Sequence, residues 1–190
     1  MTEVDARRDL DTIRSLMERA REYRHPPAPA AFAAGACGVA AGLLTDRWFG
    51  NLEILALVWG GAFVLAFAFM VIFTSRAARR DGIPFWSPLA RDVIFALWPS
   101  LVAALAMTVA LARASRLELA APLWLLAYGV GGLAAGAFAS PIVRVLGFAF
   151  LAAGVAQLVV EYPPGLVLAG TFGGFHIIYG VFALIPPRKK

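Results

Sequence analysis

Few residues inside the apolar body of this 190-residue chain have side chains able to do chemistry. They are Tyr128, Gln157, Thr171, His176 and Tyr179. His176 falls near the middle of the last apolar stretch, with Gly173 three residues before it, Gly180 four after it and Tyr179 beside it. On an α-helix that spacing places both glycines on the imidazole's face and leaves a shallow notch around the ring. His176, Tyr179, Gly173, Gly180, Tyr128 and Gln157 are therefore the candidate ligand-binding set. A charged ring at the bilayer midplane is costly, so the imidazole is expected to be neutral, turned into the bundle and hydrogen-bonded. One reading makes the notch a ligand contact or a proton-sensitive switch. The plainer reading is a structural hydrogen bond to Tyr128 or another polar group on a neighbouring helix.

The residues that are missing narrow the chemistry further. The 12 acids all lie in the N-terminal segment or near the ends of apolar stretches: Glu3, Asp5, Asp9, Asp11, Glu18, Glu22, Asp46, Glu53, Asp81, Asp92, Glu118 and Glu161. Ion-coupled transport calls for a titratable group at depth, and no carboxylate is placed there. Intramembrane hydrolysis needs a nucleophile with a base or a carboxylate pair, and no spacing supplies one. No catalytic residue is assigned. Cys37 is the only cysteine, and His25 and His176 make no metal set, so neither a metal nor another cofactor is implied. His25 lies too far from His176 in depth to be a second haem ligand.

The elements that hold these residues are long and apolar. Hydrophobic residues make up 61% of the chain, well above the roughly 45 to 50% of soluble domains. Six stretches, near 29–45, 53–74, 89–112, 119–138, 141–160 and 165–186, approach or exceed the roughly 18 to 20 residues a crossing helix needs. The fold class is thus an all-α, polytopic six-helix membrane bundle. Its first stretch is short and rich in alanine and glycine, and a five-helix arrangement with that segment buried or re-entrant is the alternative. Ser87-Pro88 and Ser140-Pro141 place a capping hydroxyl before a helix-starting proline. Glu161-Tyr-Pro-Pro164 and Pro186-Pro187 close the fifth and sixth spans.

Six spans sort the bases by side. One side receives Arg7, Arg8, Arg14, Arg19, Arg21, Arg24, Arg76, Arg79, Arg80, Arg91, Arg144, Arg188, Lys189 and Lys190; the other receives Arg47, Arg113 and Arg116. This asymmetry predicts both termini on the cytoplasmic side. It also accounts for the net charge of +5 without nucleic acid. Trp48, Phe49, Trp124 and Tyr162 sit at the outer interface and Phe85-Trp86 at the inner, within a loop from Ser75 to Ala90. Residues 1–27 form a cytoplasmic amphipathic helix and a proline-rich turn, 28–187 the bundle and 188–190 a basic tail. In that helix Ala6, Leu10, Ile13, Met17 and Ala20 make an apolar stripe, and a balanced charge suits packing on protein better than on anionic lipid. No secretory leader is expected. Arginine supplies nearly all the bases, which suggests a GC-rich bacterial genome.

Glycines four apart, Gly38/Gly42, Gly132/Gly136 and Gly170/Gly174, predict close helix packing, within the chain or against a second copy. Pro99 interrupts the third span and frees the Phe95 carbonyl, a gap the Ser100 hydroxyl is placed to fill.

The run from Trp124 through Tyr128 to Gly129, then Gly136, then Arg144 through Gly147 to Gly154, then Phe172-Gly-Gly-Phe-His176-Ile-Ile-Tyr-Gly180, resembles uncharacterised small bacterial inner-membrane proteins. Ile13 through Ala20, with Tyr23-Arg24, is similar to their N-terminal segments. The resemblance implies a six-helix architecture in the bacterial inner membrane and carries no activity. The expected function is non-enzymatic: an accessory, regulatory or protein-interaction subunit. Residues 3–24 and the glycine faces would contact the bilayer's other occupants, a partner or a second copy. The alternative is a lipid- or small-molecule-binding protein or passive conduit around His176, with a cavity among the fourth, fifth and sixth helices. A lipid-directed enzyme would need a cluster such as Asp92 with Arg91 or Glu161 with Tyr162.

Overall fold

The computed structural model describes residues 27–80, 82, 84–160 and 162–184, which form helices and turns with no strand among them. Six helices are long and apolar enough to cross a membrane. They are α1 (Ala28–Thr45), α2 (Leu52–Arg80), α3 (Pro88–Arg113), α4 (Ala120–Ala135), α5 (Pro141–Val159) and α6 (Pro164–Ala183). Short 3₁₀ turns, Asp46–Trp48 and Leu117–Leu119, lead into α2 and α4. The expected helix at residues 3–24 and the tail at 188–190 lie outside the described residues.

Boundaries follow the expected chemistry, with corrections at three places. Ser87 caps α3, accepting the Ala90 amide at 3.1 Å. Ser140 does not cap α5 with its side chain; the turn closes through its carbonyl, which accepts the Val143 amide at 3.0 Å. Residues 75–80, expected as loop, continue α2 for its full 29 residues, about 43 Å at 1.5 Å per residue. That exceeds a hydrocarbon core of about 30 Å, so arginines ride on rigid helix beyond it. Pro99 stays inside a continuous α3. Ser100 Oγ donates to the Leu97 carbonyl at 2.9 Å rather than to Phe95.

Packing divides the bundle into two groups of three. α1 lies between α2 and α6, and α4 lies between α3 and α5. Glycines permit the close approach within each group. A methyl at Gly38 would stand 2.7 Å from the Phe172 carbonyl carbon, and one at Gly42 2.6 Å from Ala169 Cα, so α1 and α6 touch backbone to backbone. Gly129 and Gly147 do the same for α4 and α5, within 2.8 Å of the Leu151 nitrogen and 2.9 Å of the Leu133 nitrogen. Indole groups tie the remaining pairs. Trp59 donates to Thr45 Oγ1 at 3.0 Å, joining α2 to α1, and Trp124 donates to Thr108 Oγ1 at 3.0 Å, joining α4 to α3. Each threonine hydroxyl in turn donates to the carbonyl four residues back, at Ala41 and Ala104. In hydrocarbon an indole N–H needs such an acceptor. Trp124 is therefore a helix tie as well as a residue near the span's edge.

Between the two groups the contacts are large rings. Tyr128 and Phe150 from the second group meet Phe172, Phe175 and His176 from the first, with centroids 5.0 to 6.3 Å apart. Phe150 and Leu125 are the largest fully buried side chains.

Candidate functional site

His176 occupies a special stretch of α6. Residues Ala169–Phe175 are wound as a π-helix, between an α-helical turn at Pro164–Leu168 and α-helix resuming at His176–Ala183. The His176 amide bonds to the Gly173 carbonyl, and the Phe172 carbonyl accepts the imidazole Nδ1–H at 2.7 Å instead. A carbonyl can only accept, so Nδ1 carries the proton. In the neutral ring Nε2 is then an acceptor, and the Tyr128 hydroxyl donates to it at 3.0 Å. Both ring nitrogens are engaged. Phe150 and Phe172 close around the pair with Tyr128 at 4.7 and 5.1 Å, and Trp59 adds an edge contact to Phe172 at 5.5 Å.

The sequence-derived set is only partly brought together. Tyr128 and His176 are bonded, and Tyr179 is buried in the turn that follows. Gly173 and Gly180 do not frame a notch at the imidazole. Methyls there would meet the Val39 nitrogen at 2.8 Å and the Phe32 ring at 2.9 Å, so α1 fills the space beside both. At Gly173 the reason is the π turn, which holds more residues per turn than an α-helix; at Gly180, in regular α-helix, it is the Phe32 ring of α1. Gln157 stands seven residues beyond Phe150 on α5, about 10 Å along the axis, with Oε1 buried and no hydrogen-bond partner. Thr171 returns its hydroxyl to the Val167 carbonyl at 2.7 Å. The space among α4, α5 and α6 at this depth is occupied by aromatic rings.

Several structural residues escaped the sequence reading. Thr45, Trp59, Thr108 and Phe150 were legible only as apolar-span residues, although buried indole N–H groups signal a need for acceptors. Asp46 is the clearest omission. It follows α1, and its Oδ1 accepts the Gly165 amide at 2.7 Å, capping the start of α6 from 119 residues away. Pro163, the residue at the local cap position, has no side-chain acceptor. A carboxylate at a helix N-terminus also meets the favourable end of the dipole.

Around His176 the described side chains are engaged in hydrogen bonding and ring packing. Among the described residues no three of His, Cys, Asp and Glu gather as metal ligands. A cleft of about 300 Å³ between the α1–α2 and α3–α4 turns is lined by Phe49, Gly50, Leu52, Ala112, Ser115, Leu117 and Glu118, with Glu118 its one charged group. Architecture defines a class: a multi-pass helical bundle fit for a bilayer. Comparisons with protein-family models, curated proteins and solved structures return no match.

Proposed function

We propose that the chain is a non-enzymatic integral membrane protein, an accessory or protein-interaction subunit of the bacterial inner membrane with both termini cytoplasmic. One observation carries this reading. Interior polar groups, among them His176 with Tyr128, Trp59 with Thr45 and Trp124 with Thr108 but not Gln157 Oε1, are bonded within the fold. The outward surface, in contrast, is open. α2 buries almost none of its side chains, and Gly60 and Gly61 on it have nothing within 4 Å of where a side chain would begin. Gly170 and Gly174 on α6 are equally open. Sidedness rests on the arginine asymmetry, and the bacterial inner membrane on the resemblance of the chain to small six-helix proteins there.

The test is purification of the full chain from native membrane in mild detergent, with particle mass measured alongside mass spectrometry. A stoichiometric partner or a defined homo-oligomer, lost when Gly60 and Gly61 are both replaced by leucine, supports the proposal. A monomer that brings no protein with it, in the wild type, overturns it.

A further inference from the structure

Four arginines flank the segment that joins α2 to α3. Arg76, Arg79 and Arg80 are exposed on the last turns of α2, and Arg91 is exposed at the start of α3. None of the four is ion-paired among the described residues; the Arg116–Glu118 pair belongs to the opposite end. Asp92, also exposed, neighbours Arg91 without pairing to any of them. Unpaired guanidinium groups in such numbers attract anions, and a guanidinium matches the oxygens of a phosphate in a bidentate manner.

Apolar stripes lead away from these arginines in the same register on both helices. On α2, Leu65, Phe69, Ile72, Arg76 and Arg79 are spaced four, three, four and three, which is one face of a helix. Its three apolar members are all exposed. On α3, Arg91, Phe95, Trp98, Val102 and Leu105 repeat that spacing from the same end, and the four apolar members are exposed. Leu65 to Arg76 and Arg91 to Val102 are each eleven residues, about 16 Å of helix. Half of a hydrocarbon core is about 15 Å. Measured from Arg76 and from Arg91, each stripe thus reaches at least the depth of one leaflet, with that arginine at headgroup level. Phe85 and Trp86, exposed in the intervening turn, have the side chains that settle at that depth.

We propose that this end of the bundle binds anionic phospholipid, acyl chains along the α2 and α3 stripes, with phosphates held by Arg76 and Arg79 on α2 and by Arg91 on α3. A free phosphate would use the arginines alone. The continuity of charge with a leaflet-long apolar face selects a lipid. Charge here also serves orientation, but orientation asks for no particular headgroup.

The experiment reconstitutes the full chain with equal phosphatidylglycerol and phosphatidylcholine and counts retained lipid by native mass spectrometry. An arginine near a charged membrane surface contributes about fivefold in affinity, so retention should favour the anionic lipid by about tenfold or more. Arg76→Gln/Arg79→Gln/Arg91→Gln should bring the two lipids within about twofold of parity. Arg47→Gln/Arg113→Gln/Arg116→Gln, with the same charge removed from the other end, should leave selection intact. Should the first triple variant fail to insert, Arg79→Gln alone should reduce selection by about fivefold. Parity in the wild type, or equal losses in both triple variants, overturns the proposal. So does displacement of the lipid by excess inorganic phosphate, which would make this a phosphate site.

Discussion

Tyr128 and His176, forty-eight residues apart, meet at 3.0 Å and form a hydrogen bond between the two three-helix groups. The bond stays in place because the other side of the imidazole is anchored on the Phe172 carbonyl at 2.7 Å, which fixes the tautomer. A structural bond of this kind makes a reciprocal prediction. Tyr128→Phe and His176→Phe should each lower stability by about 1 to 2 kcal/mol, since each strands a polar partner in an apolar setting. The double variant should cost less than the sum of the two. Thermal unfolding in detergent checks this; strict additivity would mean that the two residues are energetically separate.

Asp46 should act on α6 through its acceptor and its charge. Asp46→Ala is expected to destabilise the protein by about 1 kcal/mol, the usual cost of a lost N-terminal cap, and Asp46→Asn by less because the acceptor survives. The readout is the same unfolding transition. An Ala variant as stable as wild type would remove the long-range cap from the account.

Glycines of one sequence pattern should behave differently. Gly42→Ala places a methyl 2.6 Å from Ala169 Cα and should cost about 1 to 3 kcal/mol, because backbone rather than a flexible side chain must move. Gly170→Ala meets nothing within 4 Å and should be neutral or slightly stabilising. Comparable losses at both positions would contradict the assignment of α1 as the partner of α6.

Gly60→Leu/Gly61→Leu should preserve the monomer's stability, because both positions face open space. It should abolish any partner or second copy seated on α2. Size-exclusion with light scattering distinguishes the two effects.

Sidedness is checked in a Cys37→Ser background. Ala114→Cys should react in intact cells with a membrane-impermeant maleimide, and Arg80→Cys should react only after the membrane is opened. The reverse pattern would invert the orientation.

The crossing segments were legible because a helix in hydrocarbon must satisfy its own backbone and present about twenty apolar residues to do so. The first span shows where that rule loses resolution. Its alanines and glycines made it look marginal, whereas α1 is the most buried of the six. Its small residues go with close neighbours on two sides, and the helix is long and apolar enough to cross. α2 is the converse, since its large apolar residues face outward. Of the candidate site, the Tyr128 partnership was readable from two polar groups that had to satisfy each other. The notch was not, because α1 packs against both glycines and the helix is π-wound at Gly173.

Composition and periodicity alone determined that the chain is helical, how many of its segments can cross, and where its charges fall along it. These follow from local rules, since every residue meets water or hydrocarbon according to its own transfer free energy. The choice of α6 as the partner of α1, the π turn that sends Gly173 to Val39 and His176 to Tyr128, and the Asp46 cap on Gly165 arose only on assembly. Lipid exerts little hydrophobic pull between helices, so pairing is settled by which small and ring-bearing faces fit once all six are present.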